Sequence, residues 1–253
     1  MGLGWWNPSI NSKISECIIF NNGFVEYGDK GHGHGIYTQN TSGTKTIERC
    51  IIFFNYGWGV KVQGSGVCSG YNFKDCIFFD PSLADDGLGG MAQSLVIGGY
   101  EPYTDIIIEN CEFYHRASLA VGAARSMDLG YSGGLDNFQV LNNYCVGLTY
   151  FSGYPLTNGV VTGNTFYGIG GGGYLPFVEG NTIAERPTSG KRTRLIICEA
   201  GVRGHLVIYN YDLDNTVDAD CSALLSQGDS YRLMYHKQSN LNYLVLEMNY
   251  IVV

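Results

Sequence analysis

Two short segments of this 253-residue chain carry residues able to move a proton beside a negatively charged group. Gly35-Ile36-Tyr37-Thr38-Gln39 and Gly59-Val60-Lys61-Val62-Gln63 share one pattern, and laying them in register puts Tyr37 on Lys61 and Gln39 on Gln63. Abstracting a proton next to a carboxylate needs a base, a charge that neutralises the carboxylate, and an acid for the departing oxygen. A phenol and an ammonium can divide those roles. On a solvated strand face the same side chains would only cover the strand with their apolar stems, and both readings stand.

Just ahead of Ile36 lies Gly31-His32-Gly33-His34-Gly35. Alternate strand residues point the same way, so His32 and His34 form a pair with metal-ligand spacing, but no third ligand stands beside them. By parity His34 aligns with Trp58 and shares the side of Ile36, which reads equally as a histidine stacked at a turn between glycines that let the chain bend. The candidate catalytic residues are therefore Tyr37, Lys61 and His34. His32, Gln39, Gln63, Trp58 and Arg116 are the candidate substrate contacts.

Trp5, Trp6, Tyr56, Trp58 and Tyr71 offer faces on which sugar rings stack, and serve equally well as core aromatics. Asp80, Asp85, Asp86, Glu101 and Asp105 are the candidates for a glycosidase carboxylate pair or for calcium. Arg116 and Arg125 either hold an acidic sugar or balance those carboxylates. No reading requires a cofactor, calcium at the carboxylates being the one alternative.

The elements that must position these residues show themselves as a repeat. Ile14-Ser-Glu-Cys17-Ile-Ile-Phe20-Asn-Asn-Gly23 is echoed by Ile47-Glu-Arg-Cys50-Ile-Ile-Phe53, Phe73-Lys-Asp-Cys76-Ile-Phe-Phe79, Ile107-Ile-Glu-Asn-Cys111-Glu-Phe113, Val140-Leu-Asn-Asn143-Tyr-Cys145 and Val161-Thr-Gly-Asn164-Thr-Phe166. Short copies rich in Ile, Val and Phe and closed by Gly or Asn are strands, and units that cannot bury an apolar face alone must stack. The alignment predicts one column of Cys17, Cys50, Cys76, Cys111, Asn143 and Asn164, its cysteines inert and packed rather than disulfide-bonded. A second strand family at 35–39, 59–63, 94–97, 118–121 and 148–151 puts Ile36, Val60, Leu95 and Leu119 inward and Tyr37 and Lys61 outward. The expected fold is all-β: a right-handed parallel β-helix over residues 1–190, with residues 191–253 forming an antiparallel, strand-rich cap packed on it.

Composition narrows the partners. With 15% charged residues, 36 glycines and a formal charge of −8, the chain suits neither a helical protein nor one that binds nucleic acid or an anionic membrane surface. Met1-Gly-Leu-Gly-Trp-Trp-Asn7 lacks the basic region and apolar stretch of a secretion signal, which leaves a cytoplasmic chain, a mature form or a truncated one.

Over roughly residues 5 to 170 the repeat, together with Gly31-His-Gly-His-Gly-Ile-Tyr-Thr-Gln-Asn40, resembles right-handed parallel β-helix proteins of the pectate-lyase-like superfamily. The resemblance implies a secreted, carbohydrate-active protein whose partner is a polysaccharide or oligosaccharide. The superfamily holds lyases, epimerases, glycosidases, phage tailspikes and modules that only bind, so fold alone does not choose among them. The clustered Asp ligands and Arg of calcium-dependent pectate lyases are not visible here. The pairing of Tyr37 with Lys61 looks like that of metal-independent alginate lyases on this fold. It implies β-elimination on a uronate-containing glycan, with Tyr37 as acid/base, Lys61 neutralising the carboxylate or acting as base, and His34 and Gln39 positioning substrate. A non-catalytic glycan-binding or structural solenoid is the alternative, and an inverting glycoside hydrolase using loop carboxylates a further one.

Overall fold

Each copy of the repeat forms two strands rather than one, because its middle is a corner. The first copy splits into Lys13–Ser15 and Ile18–Phe20, the second into Lys45–Glu48 and Ile51–Asn55, and the later ones likewise. Glu16, Arg49, Asp75, Asn110, Asn142, Gly163 and Gly180, each one residue before a column position, have φ between 49° and 79°, and this left-handed residue turns the chain. A non-glycine residue adopts that conformation only at a cost. Here the amide of each of the first six donates to a carbonyl of the next circuit, as Arg49 N does to Lys74 O at 2.9 Å and Asn110 N to Leu141 O at 2.9 Å.

A computed structural model describes residues 2–23, 33–82, 93–115, 125–198, 203–211, 230–236 and 243–249. Among the described residues every regular element but one short 3₁₀ turn is a strand, and the chain divides into two compact units, Met1–Glu185 and Arg186–Val253. In the first unit the chain passes through three parallel sheets in turn, each strand lying beside the strand one circuit earlier. The first sheet has seven strands: Leu3–Trp5, Ile36–Thr38, Val60–Val62, Gln93–Ile97, Arg125–Leu129, Leu148–Phe151 and Ile169–Gly170. The second sheet has six strands, from Lys13–Ser15 to Leu156–Thr162, and the third has seven, from Ile18–Phe20 to Thr182–Ile183. This order is compatible with a solenoid.

The strand expected at 118–121 lies outside the described residues, and the partner of Gln93–Ile97 is Arg125–Leu129, with Leu95 beside Met127. Arg125-Ser-Met-Asp-Leu129 hides this in sequence, since three of its five residues are polar.

Three inward columns fill the core. Ile36, Val60, Leu95 and Met127 come from the first sheet, Ile47, Phe73, Ile108 and Val140 from the second, and Ile52, Phe78, Phe113, Cys145 and Phe166 from the third, all buried. Each contributes about 1.5 to 3 kcal/mol relative to exposure. The outward residues Ile51, Phe53, Ile77 and Phe79 of the third sheet are buried as well, with Phe53 and Phe79 stacked at 4.3 Å. Burial on both faces explains why this strand reads Ile-Ile-Phe-Phe rather than alternating. In the last circuit a 3₁₀ turn, Leu175–Phe177, brings Phe177 against Phe151 at 4.9 Å and Phe138 at 5.7 Å.

One lysine belongs to this interior. Lys45 is fully buried, and its ammonium donates to the carbonyls of Trp5 (2.7 Å), Gln39 (2.8 Å) and Trp6 (3.2 Å) while lying 4.7 Å from the Trp5 ring. Burial pushes it down from 10.5 to about 8. It ties the first-sheet turns of the first two circuits together.

The expected column forms and extends one position further, to Asn181. Asn143 N donates to Asn164 Oδ1 at 2.8 Å, and Asn164 N to Asn181 Oδ1 at 2.9 Å. Each amide also reaches into the previous circuit, Asn164 Nδ2 to Val140 O at 2.8 Å and Asn181 Nδ2 to Val161 O at 2.9 Å. The thiols copy this geometry at longer range, Cys76 Sγ donating to Ile47 O at 3.4 Å and Lys74 O at 3.3 Å. Burial holds the Cys76 thiol well above its ordinary range, and the seven described cysteines are free. Cys17, in the first circuit, is exposed.

In the second unit four strands form an antiparallel sheet in the order Lys191–Ile197, Arg203–Asn210, Tyr243–Asn249, Ser230–His236. Leu206, Val207, Ile208 and Tyr209 are buried.

Asn164→Ala removes a ladder amide that both donates and accepts, and is expected to lower the unfolding free energy by about 2 to 3 kcal/mol. Cys76→Ala, which removes only weak thiol bonds and a small volume, is expected to cost about 1 kcal/mol. Urea denaturation of the two variants checks the difference; equal losses would mean that the ladder works by packing alone.

Candidate functional site

The parallel pairing of Ile36–Thr38 with Val60–Val62 places Tyr37 directly beside Lys61. Ile36, Thr38, Val60 and Val62 are buried, so period-two alternation sends Tyr37 and Lys61 to the outer face of the first sheet, each half-buried.

The Lys61 ammonium lies 4.2 Å from the centroid of the Trp58 ring and 5.1 Å from that of Tyr37. Trp6, 41% exposed, meets Tyr37 edge-on at 4.8 Å and extends this aromatic floor into solvent. A cation held over ring faces gains about 0.5 to 2 kcal/mol, more as water is excluded. Desolvation lowers the pKa of Lys61 from its ordinary 10.5. Among the described residues no carboxylate pairs with Lys61. Lys61 is thus a partly desolvated cation above aromatic rings.

His34 is 1% exposed. It stacks flat on Trp58 at 4.9 Å, meets Tyr37 edge-on at 5.7 Å, and its Nδ1 accepts the Trp58 backbone N–H at 3.2 Å. Burial takes it out of the reacting set, and it acts instead as the plate that fixes Trp58 and Tyr37. The glycines around it serve close approach, where bending was expected. A Cβ on Gly57 would sit 2.7 Å from His34 Nδ1, one on Gly33 2.5 Å from Tyr56 Cβ, and one on Gly35 2.6 Å from Gly59 O.

Gln39 donates through Nε2 to Gln63 O at 3.0 Å, so its amide is spent on joining two circuits. Gln63 follows Val62 at the strand end beside it, half-buried. His32 and Arg116 lie outside the described residues, as do Asp85 and Asp86. Glu101 and Asp105 are exposed, and Asp105 accepts from Asn137 Nδ2 at 2.6 Å and Thr104 Oγ1 at 2.9 Å on the second sheet, away from Lys61. Among the described residues no three His, Cys, Asp or Glu side chains come together to hold a metal ion.

The outer column continues from Lys61 through Val96 and Asp128 to Tyr150. Asp128 is buried, accepts Gln93 Nε2 at 2.7 Å and pairs with Arg125, whose guanidinium lies 4.1 Å from the Tyr150 ring. Burial raises the pKa of this carboxyl and Arg125 opposes the rise. Of this second polar group the sequence shows only Arg125 as a candidate, and its carboxylate partner is Asp128 of the same strand, which was not among the expected carboxylates. Its signal was the outward parity of Asp128 and Tyr150 once Arg125–Leu129 is aligned.

Lys61 is expected to titrate below 10.5, as read by NMR of the reductively ¹³C-methylated protein. Trp58→Ala, which admits water, should move it back up. Since the native value lies below the unfolded one, the folded state sheds this proton first. The contribution of Lys61 to stability therefore rises as pH climbs through that interval towards 10.5. A midpoint at or above 10.5 in the parent protein would contradict the desolvated position.

Comparison of the chain with protein-family models, with curated proteins and with solved structures finds no match, so the chemistry rests on the geometry of the site itself.

Proposed function

We propose that the three stacked sheets wind as a right-handed parallel β-helix of pectate-lyase-like type, and that the outer face of the first sheet binds and cleaves an acidic, uronate-containing glycan by β-elimination. The handedness follows from the strong preference of crossovers between parallel strands. The observation that carries the functional reading is the Lys61 ammonium beside Tyr37 and over Trp58, with no carboxylate paired to it among the described residues.

In this reading the uronate carboxylate approaches Lys61, which neutralises it and so acidifies the adjacent C–H bond. Tyr37, as phenolate, takes that proton. The electron pair forms the new C=C bond, the bond to the glycosidic oxygen breaks, and the Tyr37 phenol returns the proton to the leaving oxygen, so one side chain serves as base and then acid. Trp6 offers a ring face for the C–H surface of the sugar, while Trp58 lies between the His34 ring and the Lys61 ammonium, and His34 holds Trp58 and Tyr37 in place. A second reading, a solenoid that binds glycan without turning it over, draws on the same aromatic floor and on the loss of His34 and Gln39 to structural duties.

Incubation with alginate, pectate and hyaluronan, followed by ultraviolet absorbance of the unsaturated product, separates the two. Turnover of one of these polymers is expected, falling by about 10²- to 10⁴-fold in Tyr37→Phe and by a similar factor in Lys61→Ala. Retardation in affinity gels without absorbance would leave the binding module, and new reducing ends without absorbance would mean hydrolysis.

A further inference from the structure

The turns that leave the first sheet carry a second, chemically distinct row of side chains. After Gln93–Ile97 the chain runs Gly98-Gly99-Tyr100-Glu101-Pro102, after Arg125–Leu129 it runs Gly130-Tyr131-Ser132-Gly133-Gly134, and after Leu148–Phe151 it runs Ser152-Gly153-Tyr154-Pro155. Three successive circuits thus place a tyrosine at the same corner, and all three rings are open to solvent, at 79%, 40% and 53% for Tyr100, Tyr131 and Tyr154. Tyr174 follows in the next circuit but packs against the core.

The turns that carry these rings are stacked tightly at Gly98, Gly133 and Gly134, where a Cβ would meet the backbone of a neighbouring circuit. A Cβ on Gly98 (φ 148°) would lie 2.4 Å from both Tyr131 N and Tyr131 O, and one on Gly134 (φ 92°) 2.1 Å from Pro155 O. A Cβ on Gly133 would lie 2.4 Å from Gly99 O. Gly130 N and Tyr131 N both donate to Ile97 O, at 2.9 and 3.2 Å, and Ser152 N donates to Leu129 O at 3.0 Å. The backbone therefore sets Tyr131 against Gly98 and brings Gly133 beside the carbonyls that flank Tyr100, so the three tyrosines are staggered along successive circuits.

What surrounds the rings selects the ligand. The turns contribute Gly, Ser and Pro rather than aliphatic side chains, so they lack the continuous apolar centre of a protein interface. The strands that follow bring a hydrogen-bonding row, with Thr104, Asp136 and Thr157 in register. Asp136 accepts Thr157 Oγ1 and Asn158 Nδ2, both at 2.7 Å, and these bonds hold its carboxylate below the usual range. Across residues 98–105, 130–137 and 152–158 there are three acidic residues, Glu101, Asp105 and Asp136, and no lysine or arginine. A uronate polymer would be repelled there.

We propose that Tyr100, Tyr131 and Tyr154 form a binding platform for a neutral glycan chain lying along the stacked turns, its sugar faces on the rings and its hydroxyls on the adjacent polar row. This site is independent of Lys61. Affinity electrophoresis and calorimetry with hydroxyethylcellulose, galactomannan, dextran and an array of neutral oligosaccharides test it, with alginate and pectate in parallel. The protein is expected to bind at least one neutral glycan. The triple variant Tyr100→Ser, Tyr131→Ser, Tyr154→Ser should bind it at least ten-fold more weakly, with unchanged circular dichroism and melting, while Lys61→Ala should bind it as the parent does. The single variants Tyr100→Phe and Tyr154→Phe, which keep the rings, should retain most of the affinity. Absence of binding to every neutral glycan overturns the proposal, as does binding that survives the triple substitution. So does a parent protein whose self-association in sedimentation disappears in the triple variant, since the occupant would then be a second copy.

Discussion

Everything on the outer surface of the stacked sheets depends on how one circuit is registered on the next, and that register is fixed most strongly at the corner between the second and third sheets. There a left-handed residue turns the chain, and the Cys or Asn that follows it donates both to the carbonyl two residues back and to one in the circuit before, as Cys76 and Asn164 do. The two bonds share a donor group and cannot both be made if the circuits slip. A slip of one residue would also turn Lys61 inward and Val60 outward, since side-chain direction alternates along a strand. The apposition of Lys61 and Tyr37 is thus a consequence of the corner chemistry as much as of the two strands that carry them.

The two lysines of these early circuits show what that register decides. Lys45 and Lys61 both sit in short strands, Lys45 between threonines and Lys61 between valines, yet parity sends one inside and the other out. Inside, Lys45 finds three carbonyls, so its charge is solvated by backbone and its function is to join turns. Outside, Lys61 finds ring faces and no carbonyl or carboxylate among the described residues. Rings offset desolvation only in part, and the pKa of Lys61 is lowered accordingly. The first is a structural cation that is fully coordinated, whereas the second retains the capacity to coordinate something else.

The repeat, the Cys-to-Asn column and the outward direction of Tyr37 and Lys61 were legible because each rests on local periodicity, which survives without knowledge of distant partners. What was missed rests on contacts between circuits. The corner inside each copy was invisible, since Glu16, Arg49 and Asp75 carry none of the glycine signature that marks a left-handed residue. Arg125–Leu129 is hard to read as a strand because three of its five residues are polar, and the Gln93 amide that helps satisfy Asp128 lies in the neighbouring strand. His34 was offered as a reacting group because its spacing is right, but stacking on Trp58 depends on a residue one circuit away. The exposed tyrosines escaped because their turns differ in length, Tyr131 standing two residues past its strand end and Tyr100 and Tyr154 three.

Charge argues that the Lys61 face and the tyrosine corner are not two stretches of one groove. At moderate ionic strength interactions decay over about 8 to 10 Å, so the net charge of −8 does not by itself keep an acidic polymer from a local cation. Lys61 therefore favours an anion in its own vicinity, while the turns bearing Tyr100, Tyr131 and Tyr154 hold acids and no base within the same range of residues. A homopolymer of uronates laid across both would lose at the second what it gained at the first. A chain with charged and neutral stretches would satisfy both, each stretch drawn to the surface whose charges match it. The stacked turns make such a division possible, because each circuit adds one position to every column and the side chain at that position can change sign or size without disturbing the hydrogen bonds that hold the circuits together.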